Sequence, residues 1–392
     1  MSLRDHWMLD PEVTFLNHGS FGACPRAVLE PQSELRERLE REPVRFFLRE
    51  LPSLLEEARQ ECAGFVGARP EDFVFVRNAS AGVNAVLRSL SFAPGDELLT
   101  TDHAYGACLN ALEYVAARSG AEVVIAKVPF PLRSDDEVVD AIVSRITPRT
   151  RLALLDHVTS PTGLVFPIER LVRELDARGV DTLIDGAHGP GMVDVDVSAI
   201  GACWYTANFH KHTCAPKGAA MLWAREDKQA GLHPSVLSHG YRSPGPRKRF
   251  LEEFDWTGTD DPTPWLCVPH ALRYVGGLLE GGWSEVRAHN HALALRARGI
   301  LAEALGVEPP APASMIGSLA ALPLPDGDGA PPTSALYADP LQLALFDRHR
   351  IEVPIPPWPG PPMRLIRISA HLHNHEDDYR RLADALRQEI PR

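Results

Sequence analysis

The stretch from Thr182 to Leu222 constrains the fold of this chain more than any other. It holds two short apolar runs, of which the first ends at Asp185 and the second, residues 203–207, leads into Asn-Phe-His-Lys with the lysine at position 211. Runs this short, bounded by turn residues, are typical of strands buried in a parallel sheet. Ligands of such sheets bind beyond the carboxyl ends of the strands. We therefore expect Asp185, His188 and Lys211 to converge on one crevice.

An acid and a lysine at strand ends are what a pyridoxal 5'-phosphate (PLP) site needs. The lysine amine forms a Schiff base with the cofactor aldehyde, and the acid keeps the pyridine nitrogen protonated so that the ring can withdraw electrons. The chain has five lysines: Lys127, Lys211, Lys217, Lys228 and Lys248. The spacing alone leaves a second interpretation equally open, in which Asp185 caps a turn and Lys211 is a loop cation.

Residues 184–222 resemble the cofactor segment of class V aminotransferase-fold enzymes. They are most similar to the isopenicillin N epimerase-like branch, in which Asp-Gly-Ala-His-Ala-Pro-Gly precedes Asn-Leu-His-Lys-Trp and Ala-Pro-Lys-Gly; this chain has DGAHGPG, NFHKH and APKG. The resemblance implies that Lys211 carries PLP and moves the proton of the substrate α-carbon. It also implies that Asp185 pairs with the pyridine nitrogen and that His188 bonds the ring hydroxyl. His212 stands where the family usually has Trp.

A predicted strand-to-helix turn follows residues 72–77. Small residues and a hydroxyl at such a turn suit an anion, because the free amides and the helix dipole favour phosphate. From the residues alone, Ser80 could equally be an ordinary N-cap. The resemblance assigns the cofactor phosphate to five residues: Ala79, Ser80, Ala81, Asn208 and His210.

Two more turns after predicted strands supply candidates for the cofactor ring. His103 and Tyr105 both follow the predicted strand 97–102, and the epimerase-like pattern has Tyr before Gly here, so we select Tyr105 for stacking on the ring. The alternative is a core tyrosine with a satisfied hydroxyl. The turn at 159–163 faces cofactor and substrate in the family, which implies roles for Thr159 and Ser160.

The substrate candidates come from the two ends of the chain. LNHGSFGACP, residues 16–25, resembles the segment that lies across the active-site mouth in the epimerase-like branch, which implies substrate contacts for Asn17, His18 and Gly19. Arg367-Ile-Ser resembles the stretch whose arginine clamps the substrate α-carboxylate through a two-point fork. Arg364, three residues earlier, is the surface alternative.

The segment Trp256-Thr-Gly-Thr-Asp-Asp-Pro resembles the family motif Trp-x-Gly-Thr-x-Asp-Pro. In fold type I enzymes this Gly-Thr reaches the cofactor phosphate of the neighbouring subunit. The resemblance therefore implies a homodimer with shared active sites, to which Gly258 and Thr259 contribute. Without it, the two residues would be an ordinary surface turn.

Periodicity predicts strands that alternate with helices, as in a mainly parallel α/β sheet. The predicted strands are 72–77, 97–102, 121–128, 152–158, 182–185, 203–207, 218–224, 315–323, 351–355 and 363–370. The predicted helices are 27–48, 51–66, 78–90, 106–118, 135–146, 168–178, 266–279, 289–305, 341–348 and 376–388. The resemblance implies the fold type I architecture of PLP-dependent transferases. We divide the chain into an active-site segment (1–25), a large PLP-binding α/β domain (26–265) and a small C-terminal α/β domain (266–392).

Composition limits the partners. The net charge of −12 argues against nucleic acid, whose phosphates demand basic surfaces. No apolar run approaches the length of a membrane-spanning helix, and the amino terminus lacks an apolar signal segment, so we expect a cytoplasmic protein. The six cysteines show no metal-ligand spacing, and we expect reduced thiols and no metal.

The fold does not determine the reaction, because several PLP reactions begin with deprotonation at the α-carbon. We expect an isopenicillin N epimerase-like epimerase acting on an amino acid or a derivative of one. The alternatives are a cysteine desulfhydrase-like carbon–sulfur lyase and a class V aminotransferase. Cysteine desulfurases of this fold carry a persulfide-accepting cysteine in the loop before the carboxylate-binding arginine. Residues 355–362, the matching loop here, contain no cysteine, so the resemblance disfavours a desulfurase. A non-catalytic PLP-binding regulator is a distant alternative. Such proteins usually add a basic DNA-binding module, and we find no basic segment of that kind in this sequence.

Overall fold

The computed structural model describes residues 2–243, 245–329, 334 and 338–390. The strands are β1 Thr14–Phe15, β2 Phe73–Val76, β3 Glu97–Thr101, β4 Glu122–Ala126, β5 Thr150–Asp156, β6 Asp181–Asp185, β7 Trp204–Asn208, β8 Ala220–Ala224, β9 Leu319–Pro323, β10 Ile351–Glu352 and β11 Leu365–Ser369. The helices are α1 His18–Phe21, α2 Arg26–Arg41, α3 Pro43–Arg45, α4 Leu51–Phe65, α5 Ala79–Ser89, α6 Gly106–Ser119, α7 Asp135–Val143, α8 Ile168–Asp176, α9 Val197–Ile200, α10 Arg249–Asp255, α11 Thr263–Leu266, α12 Val268–Gly276, α13 Gly282–Leu305, α14 Pro340–His349 and α15 Glu376–Glu389.

A seven-stranded sheet carries the strand ends that matter for function. Its order is β2-β8-β7-β6-β5-β3-β4, and only β8 runs antiparallel to its neighbours. The predicted mainly parallel sheet is confirmed. The chain order reverses between β3 and β5, and crevices at such switch points are where open α/β sheets bind ligands. In register, Asp156 of β5 lies beside Asp185 of β6.

The strands form because their side chains are buried on both faces of the sheet. Successive residues alternate between two cores: Leu154 and Leu183 pack into one, while their neighbours Leu155 and Ile184 pack into the other. Helices α5 and α6 cover the first face, whereas α4, α7, α8 and α12 lie on the second. This double coverage explains the short, continuous apolar runs in the sequence.

The C-terminal part packs β9 antiparallel to β11, with α13 against α15. The N-terminal segment is tied to this part, because β1 pairs in parallel with β10, placing Thr14 opposite Ile351. The predicted domain boundary at 265/266 falls inside α11 and stays a prediction. No helix among the described residues is long and apolar enough to cross a membrane.

A few predicted elements differ from the structure. The predicted helix 27–48 ends at Arg41 and continues as α3 and a π-type turn, Phe46–Glu50. The predicted strand 351–355 is only two residues long, because Pro354 has no amide proton for a ladder. The helix predicted from residue 289 begins at Gly282. The sequence is proline-rich from Pro309 to Pro332, and the last three residues of this region, 330–332, lie outside the described residues.

Candidate active site

Lys211 follows β7 in a tight turn at the carboxyl edge of the sheet. The turn is fixed by the main chain, since Cys214 N–H donates to Lys211 O (2.9 Å) and Ala215 N–H donates to Phe209 O (3.0 Å). The amine Nζ lies 3.1 Å from His188 Nε2 and pairs with no carboxylate among the described residues. Burial, together with Arg367, lowers the pKa of Lys211 to about 8. A neutral amine is therefore accessible near physiological pH.

Asp185 ends β6 and is buried without a cationic partner in the described part of the chain. Its Oδ1 accepts the Ala187 N–H (2.9 Å), and its Oδ2 accepts the Cys108 thiol proton (3.0 Å). The neighbouring acid, Asp156, is also buried. Desolvation and the charge of Asp185 raise the pKa of Asp156 well above its usual range, so Asp156 holds its proton. The sequence analysis missed Asp156 and Cys108, although Asp156 ends an apolar run as Asp185 does.

His188 lies on the turn after β6 and contacts the lysine directly. Its Nδ1 lies 3.4 Å from His212 Nε2. Burial and the nearby Lys211 lower the pKa of His188 well below its usual value, so the ring is neutral. The structure therefore brings Asp185, His188 and Lys211 together, as the strand-end argument predicts.

The predicted phosphate turn is the start of α5, where most donors already have protein partners. The Ala79 N–H donates to Asn208 Oδ1 (2.9 Å), and the Ala81 N–H donates to Asn78 Oδ1 (2.8 Å). Among the described residues, the amide and hydroxyl of Ser80 have no partner. Asn78 is thus the N-cap, Asn208 anchors the helix start to β7, and Ser80 is the member left to receive an anion.

Close packing of α5 on β7 depends on Gly82. A Cβ there would lie 2.1 Å from Thr206 Oγ1, so a larger residue would push the helix start away from Asn208. On the other side of Lys211, His210 Nδ1–H donates to Ala219 O (3.1 Å). Burial lowers the pKa of His210 to about 4, which leaves a neutral ring with Nε2 as an acceptor.

Arg367, on β11, is a buried guanidinium without an acidic partner among the described residues. Its Nη1 donates to Ser160 O (2.6 Å) and Ser160 Oγ (3.2 Å), and its Nη2 donates to Ser20 Oγ (3.1 Å). Its Nε has no hydrogen-bond partner among the described residues, and Nη2 has a second N–H beyond the one donated to Ser20. These nitrogens form one edge of the guanidinium, the geometry that binds a carboxylate at two points. Arg364 instead pairs with Asp339 (2.6 Å).

The turn after β5 presents Ser160 rather than Thr159 to the arginine. The hydroxyl of Thr159 is buried inside its own turn, where it bonds Thr162 Oγ1 (2.7 Å) and accepts the Leu164 N–H (2.9 Å). Thr159 thus shapes the turn, and a direct contact with the cofactor stays a prediction.

Of the two ring-stacking candidates, only Tyr105 has a free ring. His103 is buried, with Nδ1 2.7 Å from Thr162 Oγ1, and its ring centre lies 4.6 Å from that of Trp358. Tyr105 precedes α6 and is 45% exposed. Partial burial, with the nearby Cys108 and Asp185, raises the pKa of Tyr105. Stacking of Tyr105 on the cofactor ring stays a prediction.

The N-terminal segment approaches the site differently from the prediction. The Asn17 amide donates to Glu352 Oε1 (3.2 Å), and the buried Gly19 N–H donates to Ser369 Oγ (2.9 Å). Both residues are thereby tied to the C-terminal part, and contact with a substrate stays a prediction for them. The residue of this segment that accepts a hydrogen bond from the Arg367 guanidinium is Ser20, which the sequence analysis did not single out.

His18 supports the lysine turn from below. Its Nε2–H donates to Lys211 O (3.0 Å), and its Nδ1 lies 3.0 Å from His373 Nε2. The atoms Cys214 Sγ, His18 Nε2 and His371 Nε2 lie within 4.8 Å of one another. Both Nε2 atoms, however, already donate to main-chain carbonyls. His18 donates to Lys211 O, and His371 donates to His212 O (3.3 Å). The cluster is accounted for as a hydrogen-bonded scaffold for the turn.

No hydrogen bond or ion pair joins Gly258 or Thr259 to these groups among the described residues. Gly258 has a φ of 127°, which favours glycine, and the space where a Cβ would stand is open. Thr259 is exposed, and the next residue, Asp260, forms a salt bridge with Arg77. A contribution of this turn to a neighbouring subunit stays a prediction.

The residues present fit PLP. A buried amine, a buried carboxylate without a cation and a helix start with an unpartnered serine correspond to the aldehyde, the pyridine nitrogen and the phosphate. The free edge of Arg367 adds a place for a substrate carboxylate. The chemistry of the donor set, rather than any one residue, makes this match specific.

Comparisons with known proteins agree with this chemistry. Residues 30–381 match the family model Aminotransferase class-V. The chain is 39% identical to isopenicillin N epimerase of Amycolatopsis lactamdurans over 98% of this chain and 97% of that protein. It is 34% identical to a probable chloroplastic L-cysteine desulfhydrase of Arabidopsis thaliana over 96% of this chain and 83% of that protein.

Solved structures share the fold at lower sequence identity. A mutant of the enzyme C-DES with glycine covalently linked to its PLP cofactor superposes with a TM-score of 0.79 at 20% identity, covering 96% of this chain and 97% of that one. The cysteine desulfurase CsdA of Escherichia coli gives 0.77 at 21% identity, covering 98% and 96%. The chain therefore belongs to the class V aminotransferase family and is a PLP-dependent enzyme of fold type I.

Proposed function

We propose that this enzyme is an α-epimerase of the isopenicillin N epimerase type, acting on an amino acid or an amino-acid derivative. The observation that carries the proposal is a set of three groups around one cleft. They are the Lys211 amine, which pairs with no carboxylate, the Asp185 carboxylate, which pairs with no cation, and the Arg367 guanidinium, one edge of which has an unpartnered nitrogen. Lys211 would carry the cofactor, Asp185 would pair with the pyridine nitrogen, and Arg367 would bind the substrate carboxylate. We also propose that the chain is divided after residues 25 and 265 into an active-site segment, a large PLP-binding domain and a small C-terminal domain.

When bound, PLP supplies an electron sink that stabilises negative charge at the substrate α-carbon. The protein then has to orient the substrate and move one proton. Arg367 orients the carboxylate by two parallel hydrogen bonds, since its free donors lie on one edge. The Lys211 amine takes the α-proton, for which a pKa near 8 is suited because the neutral form is available at working pH. Epimerisation then requires a proton to be delivered to the opposite face of the α-carbon.

The ends of the cofactor are held by groups that need not move. In this proposal the Ser80 amide and hydroxyl and the neutral His210 would bind the phosphate, and His188, which lies beside Lys211, would bond the ring hydroxyl. Tyr105 offers a partly exposed ring for stacking. We further propose a homodimer in which Thr259 of one subunit reaches the phosphate bound by the other.

The thiols argue against persulfide chemistry. Burial raises the pKa of each of the six cysteines, that of Cys24 to about 12 and that of Cys203 to about 11, so none is an accessible thiolate. A carbon–sulfur lyase that releases its sulfur product directly needs no such thiol. The desulfhydrase relatives favour it as the second candidate.

Product analysis distinguishes the two reactions. The PLP-loaded protein would be incubated separately with isopenicillin N and with L-cysteine, and the products resolved on a chiral column while sulfide is measured. The proposal predicts a second configuration at the α-carbon of isopenicillin N, with the side chain intact and no sulfide from cysteine. Sulfide and a keto acid from cysteine without any epimer would replace the proposal with the lyase.

A further inference from the structure

Both ring nitrogens of His188 are engaged, and they point in opposite directions. Nε2 lies 3.1 Å from Lys211 Nζ, while Nδ1 lies 3.4 Å from His212 Nε2. On the far side of His212, its Nδ1 lies 3.4 Å from Ser318 Oγ. Lysine, two imidazoles and a hydroxyl thus form one continuous line inside the protein.

The protonation state of Lys211 determines which atoms donate and which accept in this series of hydrogen bonds. A protonated Lys211 has three N–H donors and no lone pair, so His188 Nε2 must be an acceptor toward it. A neutral His188 then carries its proton on Nδ1, and that proton needs an acceptor. The only acceptor the structure gives this proton among the described residues is Nε2 of His212. His212 in turn carries its proton on Nδ1, facing Ser318 Oγ.

The position of His212 is fixed tightly enough to impose this arrangement. The residue is 1% exposed, and its main-chain carbonyl accepts the His371 Nε2–H (3.3 Å). The turn after β6 packs directly on it: a Cβ on Gly191, which has a φ of +84°, would lie 2.7 Å from the carbonyl carbon of His212. A tryptophan at position 212, as the family usually has, offers an N–H donor and no acceptor.

We propose that His212 is a positioning residue that holds His188 in the Nδ1–H tautomer, so that a lone pair on Nε2 faces the Lys211 amine whenever that amine is free. The catalytic consequence rests on the proposed role of Lys211 as the proton carrier. An amine held by an acceptor keeps its direction toward the cleft as it takes the proton. With the Nε2–H tautomer, a protonated Lys211 and His188 would both be donors, and the lysine would be displaced.

Nitrogen NMR on the cofactor-free chain with ¹⁵N-labelled histidine tests the tautomer without any turnover. His188 signals would be assigned by their loss in His188→Asn. In the wild type at pH 7, we expect the shift of a protonated nitrogen at Nδ1 and of an unprotonated one at Nε2. A wild-type His188 with its proton on Nε2 overturns the proposal, and this outcome needs no variant to fold.

Three variants separate positioning from packing. His212→Gln retains an acceptor for the Nδ1 proton, so the tautomer should stay; His212→Phe keeps a ring without an acceptor, so the Nε2–H form should appear. The matched control, His157→Phe, removes another buried imidazole, which bonds Tyr205 (2.8 Å), and should leave His188 unchanged. An unchanged His188 tautomer in folded His212→Phe contradicts the proposal.

The loaded enzyme gives the second readout. His212→Phe should slow α-hydrogen exchange by roughly 10- to 100-fold, the range found when a metal-bound imidazole loses the partner that orients it, while His212→Gln should recover most of the rate. If the enzyme proves to be a lyase, the tautomer result is unaffected. If the tautomer is wrong, epimer formation can still be observed, so the two failures are distinguishable.

Discussion

The free edge of Arg367 allows a quantitative prediction for Arg367→Lys. Arginine can offer the substrate carboxylate two parallel charged hydrogen bonds, from Nε and Nη2, whereas lysine offers a single point charge. One charged hydrogen bond contributes about 1.5–3 kcal/mol. The loss of one of the two should therefore weaken substrate binding roughly 10- to 150-fold. Cofactor retention should not change, because the residues proposed to hold PLP lie on other elements.

The assay is a spectral titration of the PLP-loaded variant with substrate, accompanied by KM. Arg364→Lys is the matched control: it lies on the same segment and is engaged with Asp339 (2.6 Å), outside the cleft. Its KM should stay near the wild-type value. Unchanged binding in Arg367→Lys together with weakened binding in Arg364→Lys would refute the reasoning and move the carboxylate site.

Other consequences follow from the same geometry. Lys211→Ala should abolish covalent cofactor attachment, and borohydride reduction of the wild type followed by peptide mapping should label Lys211; label on Lys217 would contradict the assignment. Because the pKa of Lys211 is lowered to about 8, the neutral amine predominates above that pH, so the rate at which the cofactor-free protein takes up PLP should rise through pH 8 and level off beyond it, as followed by absorbance. Sedimentation should show a homodimer, and Thr259→Ala should weaken PLP affinity; an active, PLP-loaded monomer would remove the basis for the shared site.

The strand-end argument predicted the site because the carboxyl ends of parallel strands meet at one edge. Asp185, His188 and Lys211 converge for that reason, and the fold class followed from the same alternation of strands and helices. The register that sets Asp156 against Asp185 was not predictable, since it depends on how far each strand slides along its neighbour. Cys108 likewise comes from a helix whose rotation the sequence does not specify.

Contacts between distant segments were the hardest to predict. The LNHGSFG motif indicated a loop near the site, but which member reaches the arginine depends on the pairing of β1 with β10. Gly22 illustrates this, because a Cβ there would lie 2.0 Å from His210 O. The absence of a side chain at Gly22 therefore allows close packing on the lysine turn rather than on a ligand. The sequence around Ala79 also did not show that two amides of this turn already have protein acceptors. The Ala79 N–H donates to Asn208, and the Ala81 N–H donates to Asn78.

Deuterium incorporation tests the central claim most directly. The PLP-loaded enzyme would be incubated with isopenicillin N in deuterated water, and both configurations at the α-carbon would be isolated and examined by NMR and mass spectrometry. The account predicts deuterium at the α-carbon in both configurations, an intact side chain, and no exchange with Lys211→Ala. Exchange absent in the wild type, or deuterium found only in the original configuration without any epimer, would contradict it.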